Sequence, residues 1–350
     1  MKTGVLIVNL GTPDSPSPSR VRAYLKEFLS DPRVLDIPAL GRWLLLHFVI
    51  LPFRPRKSAE AYEKVWSHDG SPLLVNTRDF AERLQAALPE RYRVEFAMRY
   101  GNPSIASKIE ALVSQSVDEL VIFPQYPQYS SASTGSSLEK VFEVLGRKWN
   151  IPPVRVVGPF SQDGGFLDAV AASGAPLLRS LVPDHVLFSY HGLPERQIRK
   201  SESLEGHCLK PDDACCASLS WKNQYCYRAQ CFETARQVAR RLGLAPDQYT
   251  ISFQSRLGRT PWIKPYTDLL LPELAKQGKK KLLVFSPSFT ADCLETLEEI
   301  SLRARATFLE AGGDNLVLVP SLNGSEAWVR AARDLVLSVR ETVPAPVSVS

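Results

Sequence analysis

The chain has 350 residues, of which 44% are hydrophobic and 23% charged, the make-up of a folded soluble protein rather than a disordered, collagenous or polytopic membrane chain. That length calls for one large domain or two of about 150–200 residues. Forty-two Lys and Arg against 37 Asp and Glu leave a net charge of +5, too mild to indicate nucleic acid but suited to an anionic partner.

The opening residues, MKTGVLIVNL, enter a β-like apolar run without the pattern of a secretory signal, so a cytoplasmic location is expected. A first strand is predicted at residues 5–9 and a helix at 20–29. Next comes an apolar lip, residues 34–57, in which a Leu-rich run framed by Pro38 and Pro52 meets Arg54, Arg56 and Lys57. The longest apolar stretch in it, residues 43–53, is interrupted by His47 and is far shorter than the ~20 residues that cross a bilayer. Two readings remain open: an amphipathic surface for peripheral contact at the inner face of a membrane, or a core helix followed by a solvated basic turn.

Strands at 94–98, 120–123 and 154–157, with a helix at 104–112, complete a first set. The loops after them hold Arg99 and Tyr100 in EFAMRYGNP, and Tyr126, Tyr129 and Ser130 in FPQYPQYSSASTGSS. Flat aromatic faces beside a cation and hydroxyl donors suit a large planar anion. The segment GPFSQDGGFL, residues 158–167, carries three Gly and a Pro and separates an expected N-terminal half, 1–160, from a C-terminal half, 161–350.

A second set follows, with strands at 186–190, 250–254, 282–285 and 316–319 and helices at 233–242 and 294–308. The sets match in detail: VLIVNLGTP resembles VLFSYHGLP, EFAMRYGNP resembles SFQSRLGRTP, and DELVIFPQY resembles KKLLVFSPSF. The fold class is therefore α/β, two similar halves, each a parallel four-stranded sheet flanked by helices, facing a shared cleft at the carboxyl ends of the strands.

His191 stands at such a strand end, where an imidazole can accept a proton or ligate Fe or Zn, although a lone histidine there also serves as an ordinary hydrogen-bonded residue. In SFTADCLETLEEI the spacing puts Asp292, Glu295 and Glu299 on one helix face, where clustered carboxylates favour a cation or a captured proton. Glu298, off that stripe, reads as an acid that complements the helix dipole and faces water. Trp262 adds an aromatic from GRTPWIKP. VNLGTPDSP lacks G-x-G-x-x-G, and no P-loop is present, which argues against a dinucleotide-dependent oxidoreductase.

Together VNLGTPDSP, FPQYPQYSSASTGSS, FSYHGLPER, FQSRLGRTPW and ADCLETLEEI resemble the ferrochelatases, which insert ferrous iron into protoporphyrin to make haem. The resemblance implies two Rossmann-like halves around a porphyrin cleft, with protoporphyrin IX and ferrous iron as substrates. It implies that His191 and Glu295 are the catalytic pair on the substrate iron, with Asp292 and Glu299 as an acidic relay. Arg99, Tyr100, Tyr126, Ser130 and Trp262 fall in its porphyrin-binding motifs, and Arg54 and Lys57 where its members place basic residues near the propionates. Coproporphyrin, another tetrapyrrole chelation, or a non-catalytic haem carrier or sensor are the rival readings.

The chain departs from the plain family pattern in a Cys-rich insert, residues 203–226. Cys231 and Cys293 occupy ordinary family positions, leaving Cys208, Cys215, Cys216 and Cys226 as additional thiols. Four thiolates are what a [2Fe–2S] cluster takes, and some ferrochelatases carry one. Ser131 stands where the form with a C-terminal cluster has its loop cysteine, so a cluster here must use the insert. A zinc site with four thiolates, or free thiols, are the alternatives.

Overall fold

Residues Thr3–Thr12 form β1, buried along nearly all of its length because helices cover both faces of a central parallel strand. The structure, a computed structural model, describes residues 2–258 and 260–341. Residues 342–350 of the expected C-terminal half lie outside the described residues. β1 pairs in parallel with β2 (Tyr92–Gly101) on one side and β3 (Glu119–Pro124) on the other, and β4 (Val154–Val156) completes the order β2-β1-β3-β4. The second sheet repeats this plan. Its β5 (His185–His191), β6 (Tyr249–Gln254), β7 (Lys281–Phe285) and β8 (Asn315–Leu318) run parallel in the order β6-β5-β7-β8. The repeat legible in the sequence is thus a repeat of topology: the first strand of each half is central, and its carboxyl end opens where the strand order reverses.

The helices of the first half are α1 (Pro18–Ser30), α2 (Ala39–Leu44), α3 (Leu51–Glu63), α4 (Pro72–Ala87), α5 (Ile105–Ser114) and α6 (Ser136–Gly146). Those of the second are α7 (Gly164–Leu181), α8 (Glu195–Lys200), α9 (Tyr227–Arg241), α10 (Thr267–Lys276), α11 (Arg305–Glu310) and α12 (Glu326–Glu341). Local chemistry sets several starts. Pro18 and Pro72 occupy first turns, where no intrahelical N–H bond is lost, and Asp163 caps α7 by accepting from the Phe166 N–H at 2.9 Å.

Three stretches wind as π-helix: Leu45–Ile50 in the lip, Ser131–Gly135 after β3, and Glu295–Ala304. The regular helix expected at 294–308 is therefore a long π-helix that passes into α11. Asp292 precedes it and does not share its face, which corrects the three-acid stripe drawn from α-helical spacing. π-turns cluster at functional sites, and these three fall in segments that the sequence singled out.

The main core crosses between the halves. Trp328 of α12 is fully buried and stacks on Phe80 of α4 at 5.6 Å and on Phe160 at 5.4 Å, with Phe166 of α7 edge-on. The last described helix of the chain thus completes the packing of both sheets.

Candidate active site

His191 ends β5, opposite Gln254 at the end of β6. Its N–H donates to Ser288 Oγ at 3.2 Å, and its carbonyl accepts the Tyr227 hydroxyl at 2.9 Å. The imidazole meets Phe289 edge to face at 6.2 Å and is half-buried; no described residue hydrogen-bonds its ring nitrogens. The next residue must be small. A Cβ at Gly192 would lie 2.8 Å from the Gln254 carbonyl oxygen and 3.2 Å from the Trp262 ring, because the two loops close directly on each other.

Gln254 joins the histidine strand to the acidic π-helix. Its side-chain amide donates to the main-chain carbonyl of Glu295 at 2.9 Å and to Glu299 Oε2 at 3.3 Å, while its carbonyl accepts from Ser189 at 2.8 Å. Glu299 also accepts from the Ser255 N–H at 2.9 Å and from its hydroxyl. Glu295 faces the lip and α1. Its charge acts on Arg54 of α3 and on the buried hydroxyls of Tyr24 and Tyr62. Burial, then the Glu295 charge, pushes the Tyr62 phenol far above its usual range; Tyr24 is raised first by burial, then by Tyr62 and Glu295. Burial also pulls Arg54 down, and Glu295 opposes that shift. Lys57 lies exposed one turn along α3.

The other two acids of that segment do structural work. Asp292 accepts from Asn323 Nδ2 at 2.8 Å, Thr296 Oγ1 at 3.0 Å and the Ser321 N–H at 3.2 Å, so both oxygens of its buried carboxylate are engaged. Glu298 does not face water: it is 6% exposed and pairs with Arg303 at 2.9 Å and with Lys64, after α3, at 3.7 Å. That second pair joins the π-helix to the end of α3.

In the first half Arg99 and Tyr100 converge on Asp31. Arg99 donates to Asp31 at 2.8 Å and to Ser136, and its guanidinium lies 4.4 Å over the Tyr100 ring, whose hydroxyl donates to the same Asp31 oxygen at 2.8 Å. Burial would raise the Asp31 carboxyl, but bonds from Ser136, the Arg33 N–H and Tyr100, with the Arg99 charge, hold it below the usual carboxylate range. Tyr100 is wholly buried, so its contribution is to hold Asp31. Tyr126 is half-buried, accepts from Ser137 at 3.3 Å, and has its phenol raised by burial. Ser130 caps the π-turn after β3 by accepting from the Ser133 N–H at 3.1 Å. Trp262 donates its indole N–H to the Leu257 carbonyl at 2.9 Å, and its ring stands against Gly192. Sequence reasoning missed Tyr24, Tyr62, Gln254 and Asp31; an Asp after a helix or a Tyr within an apolar helix face carries no local mark of a site.

All six cysteines are free and buried. In the insert, Cys208 contacts Cys226, Cys226 contacts Cys216, and the Cys216 and Cys215 sulfurs lie 3.9 Å apart. Arg228 Nη1 donates to the Cys216 sulfur at 3.3 Å and the Lys210 N–H to that of Cys215 at 3.4 Å. The thiol contact with Cys226, with burial, raises Cys216; the bond with Cys208 raises Cys226 to about 12, while Cys208 itself is lowered by that bond. Among the described residues no three His, Cys, Asp or Glu side chains converge as a metal cage. A cavity of about 690 Å³ lies beside the insert, between Arg33, Tyr129 and Ser131 on one side and Lys200, Glu202 and Tyr225 on the other; neither His191 nor Glu295 lines it.

Comparison with known proteins bears directly on this arrangement. The family model described as Ferrochelatase matches residues 2–339. A ferrochelatase of Coxiella burnetii (strain Dugway 5J108-111) is 46% identical over 330 residues, covering 94% of this chain and 92% of its own. One of Legionella pneumophila (strain Lens) is 44% identical over 336 residues, covering 96% and 99%. Among solved structures, the sirohydrochlorin chelatase SirB from Bacillus subtilis subspecies spizizenii in complex with cobalt aligns over 97% of this chain and 96% of its own, with a TM-score of 0.54 and 12% identity, a likeness of fold.

Proposed function

The chain belongs to the ferrochelatase family and is an enzyme that inserts ferrous iron into a porphyrin for haem synthesis; from that premise we propose how its residues divide the work. Insertion exchanges two pyrrole N–H protons for one Fe²⁺, so the site must accept protons and deliver a cation to the same ring. His191 takes the pyrrole proton or steadies the incoming metal, because its ring nitrogens are unengaged while both of its main-chain groups are held. Glu295 is the acidic partner. Glu299, pinned by Ser255 and Gln254, passes protons or iron along the π-helix. Asp292 is the weakest member of the relay, since both of its carboxylate oxygens are engaged by Asn323, Thr296 and Ser321.

The observation that carries this reading is Gln254, whose amide touches both acid-bearing residues from the strand position paired with His191. Arg54 and Lys57 would meet the propionates; Tyr126, Ser130 and Trp262 would border the ring, with Arg99 and Tyr100 holding the wall behind them. Gripping the ring between two rigid halves favours a bent macrocycle with nitrogen lone pairs turned toward the metal.

We assign protoporphyrin IX over the four-carboxylate coproporphyrin on the strength of the lip. Leu40, Phe48 and Phe53 are 71%, 64% and 75% exposed beside exposed Arg56 and Lys57, a surface suited to peripheral contact with anionic lipid, where the less polar porphyrin partitions. No helix among the described residues is long and apolar enough to cross a membrane.

The insert suits a [2Fe–2S] cluster held by Cys208, Cys215, Cys216 and Cys226. Four buried thiols in one segment, two of them accepting N–H bonds, fit its donor set, although they touch in a row as neutral thiols do and would have to ionise and converge. When bound, such a cluster supplies a cross-link among four thiolates.

The test is anaerobic metallation with ferrous iron and both porphyrins. His191→Ala should still quench with porphyrin in fluorescence titration while kcat falls about 10²–10⁴-fold, the usual range for losing a general acid or base. Full residual activity would remove His191 from the mechanism.

A further inference from the structure

A chain of four buried polar side chains runs between the second sheet and α10. Ser189 and His191 of β5 pair in register with Ser252 and Gln254 of β6, and residues two apart on a strand share a face. Thr267, the first residue of α10, meets that face. Ser189 and Ser252 are fully buried, and Thr267 and Gln254 are nearly so, beside the apolar cluster that holds Leu187 and Leu271. Hydroxyls in such a place are costly unless they are bonded. Here Ser252 Oγ lies 2.8 Å from Thr267 Oγ1, Thr267 Oγ1 lies 2.9 Å from Ser189 Oγ, and Ser189 Oγ lies 2.8 Å from Gln254 Oε1.

The last member fixes the direction of this chain. The Gln254 amide meets the main-chain carbonyl of Glu295 at 2.9 Å; a carbonyl only accepts, so the amide nitrogen faces Glu295 and the amide oxygen faces Ser189. Ser189 therefore gives its one proton to Gln254, Thr267 gives its own to Ser189, and Ser252 gives its own to Thr267. In the opposite sense the Gln254 oxygen would stand against the Glu295 carbonyl, and the Ser252 hydroxyl would have no described acceptor. One sense alone satisfies every member, and in it the Gln254 nitrogen also donates to Glu299 Oε2 at 3.3 Å.

We propose that Gln254 is a positioning residue for the two acids of the π-helix, and that Ser189 holds its amide with the nitrogen toward them. This role rests on the reading of Glu295 and Glu299 as the acidic side of the active site. Because Gln254 is the register partner of His191, a single residue ties those acids to the strand end that carries the imidazole. Gln254 is 3% exposed, so it acts through its neighbours and not on a substrate. A misplacement of about an ångström at a reacting group can cost about a hundredfold in rate.

The test uses the full chain in the anaerobic metallation assay, with Gln254→Met, which keeps the length of the side chain without its amide, Ser189→Ala, and the two combined. Fluorescence titration should give the parental porphyrin affinity in all three, which also shows that they are folded. At unchanged porphyrin KM, kcat should fall about ten- to a hundredfold in Gln254→Met and about fivefold in Ser189→Ala, the effect of one lost hydrogen bond. The double variant should turn over no more slowly than Gln254→Met, because Ser189 acts through the amide. Parental kcat in Gln254→Met or in Ser189→Ala, weakened porphyrin binding in place of lowered kcat, or multiplying effects in the double variant overturns the proposal. Glu295→Gln and Glu299→Gln are measured beside them. Parental turnover in both overturns the reading of the acids and the proposal together, whereas collapse of either with Gln254→Met at the parental rate overturns the proposal alone.

Discussion

Asp31 collects a guanidinium, a phenol, a serine hydroxyl and a backbone N–H on one carboxylate, and so fixes Arg99 and Tyr100 against each other. Its side chain is 4% exposed, so removing the charge leaves Arg99 without its buried counter-ion. Breaking a buried pair typically costs about 3–5 kcal/mol. Asp31→Asn should therefore lower the urea midpoint without changing the slope. Because the folded carboxyl titrates below its unfolded value of about 3.9, its contribution is present above that pH and fades as the pH falls through the folded value. The parent should lose stability on acidification over that window, and the variant should lose correspondingly less; identical acid profiles would refute the assignment. At this scale the sequence is readable only where a motif is long. His191 and Glu295 stand in extended motifs, whereas Tyr24 and Tyr62 sit at core positions of α1 and α3, where a phenol near an acid looks like any buried aromatic. Glu298 was misleading for the opposite reason: its partner Lys64 is 234 positions away, and only the fold brings them together.

Strands were the most legible elements, since buried parallel strands read as apolar runs and their order repeats between the halves. Helix type was not. Spacing of three and four residues describes an α-helix, and nothing in ETLEEISLRA announces the wider turn of Glu295–Ala304, which is contacted by Gln254 and Ser255 and by Lys64, residues far away in the chain. In the lip, pattern alone left a core helix and a surface helix equally good. The fold exposes Trp43, Phe48, Val49 and Phe53 while burying Leu46 and Leu51, so the segment is both at once, by faces. The double substitution Phe48→Ser and Phe53→Ser should leave kcat on detergent-solubilised porphyrin unaltered and reduce flotation with anionic vesicles by about tenfold or more, by loss of two buried aromatic insertions. Equal flotation of parent and variant would exclude the lip as the contact.

Taken whole, the molecule has two sheets but a main core that runs across them. Trp328 sits among Phe80, Phe123, Phe160 and Phe166, drawn from both halves. Neither half should then unfold alone. Trp328→Ala, which removes about 3–5 kcal/mol of packing, should lower one transition shared by circular dichroism and porphyrin release; two separated transitions in the parent would contradict that coupling. The 158–167 segment, expected as a boundary from its glycines, is the turn into α7, and composition could not foretell that α12 returns across it to α4. The duplicated frame has a further effect. Where the second half offers an imidazole after its central strand, the matching place in the first is Leu10, packed with Leu294 against Tyr24 and Tyr62. One scaffold laid down twice thus ends in a hydrocarbon branch packed into a core on one side and a half-buried imidazole on the other, so the duplication carries no chemical symmetry at its strand tips.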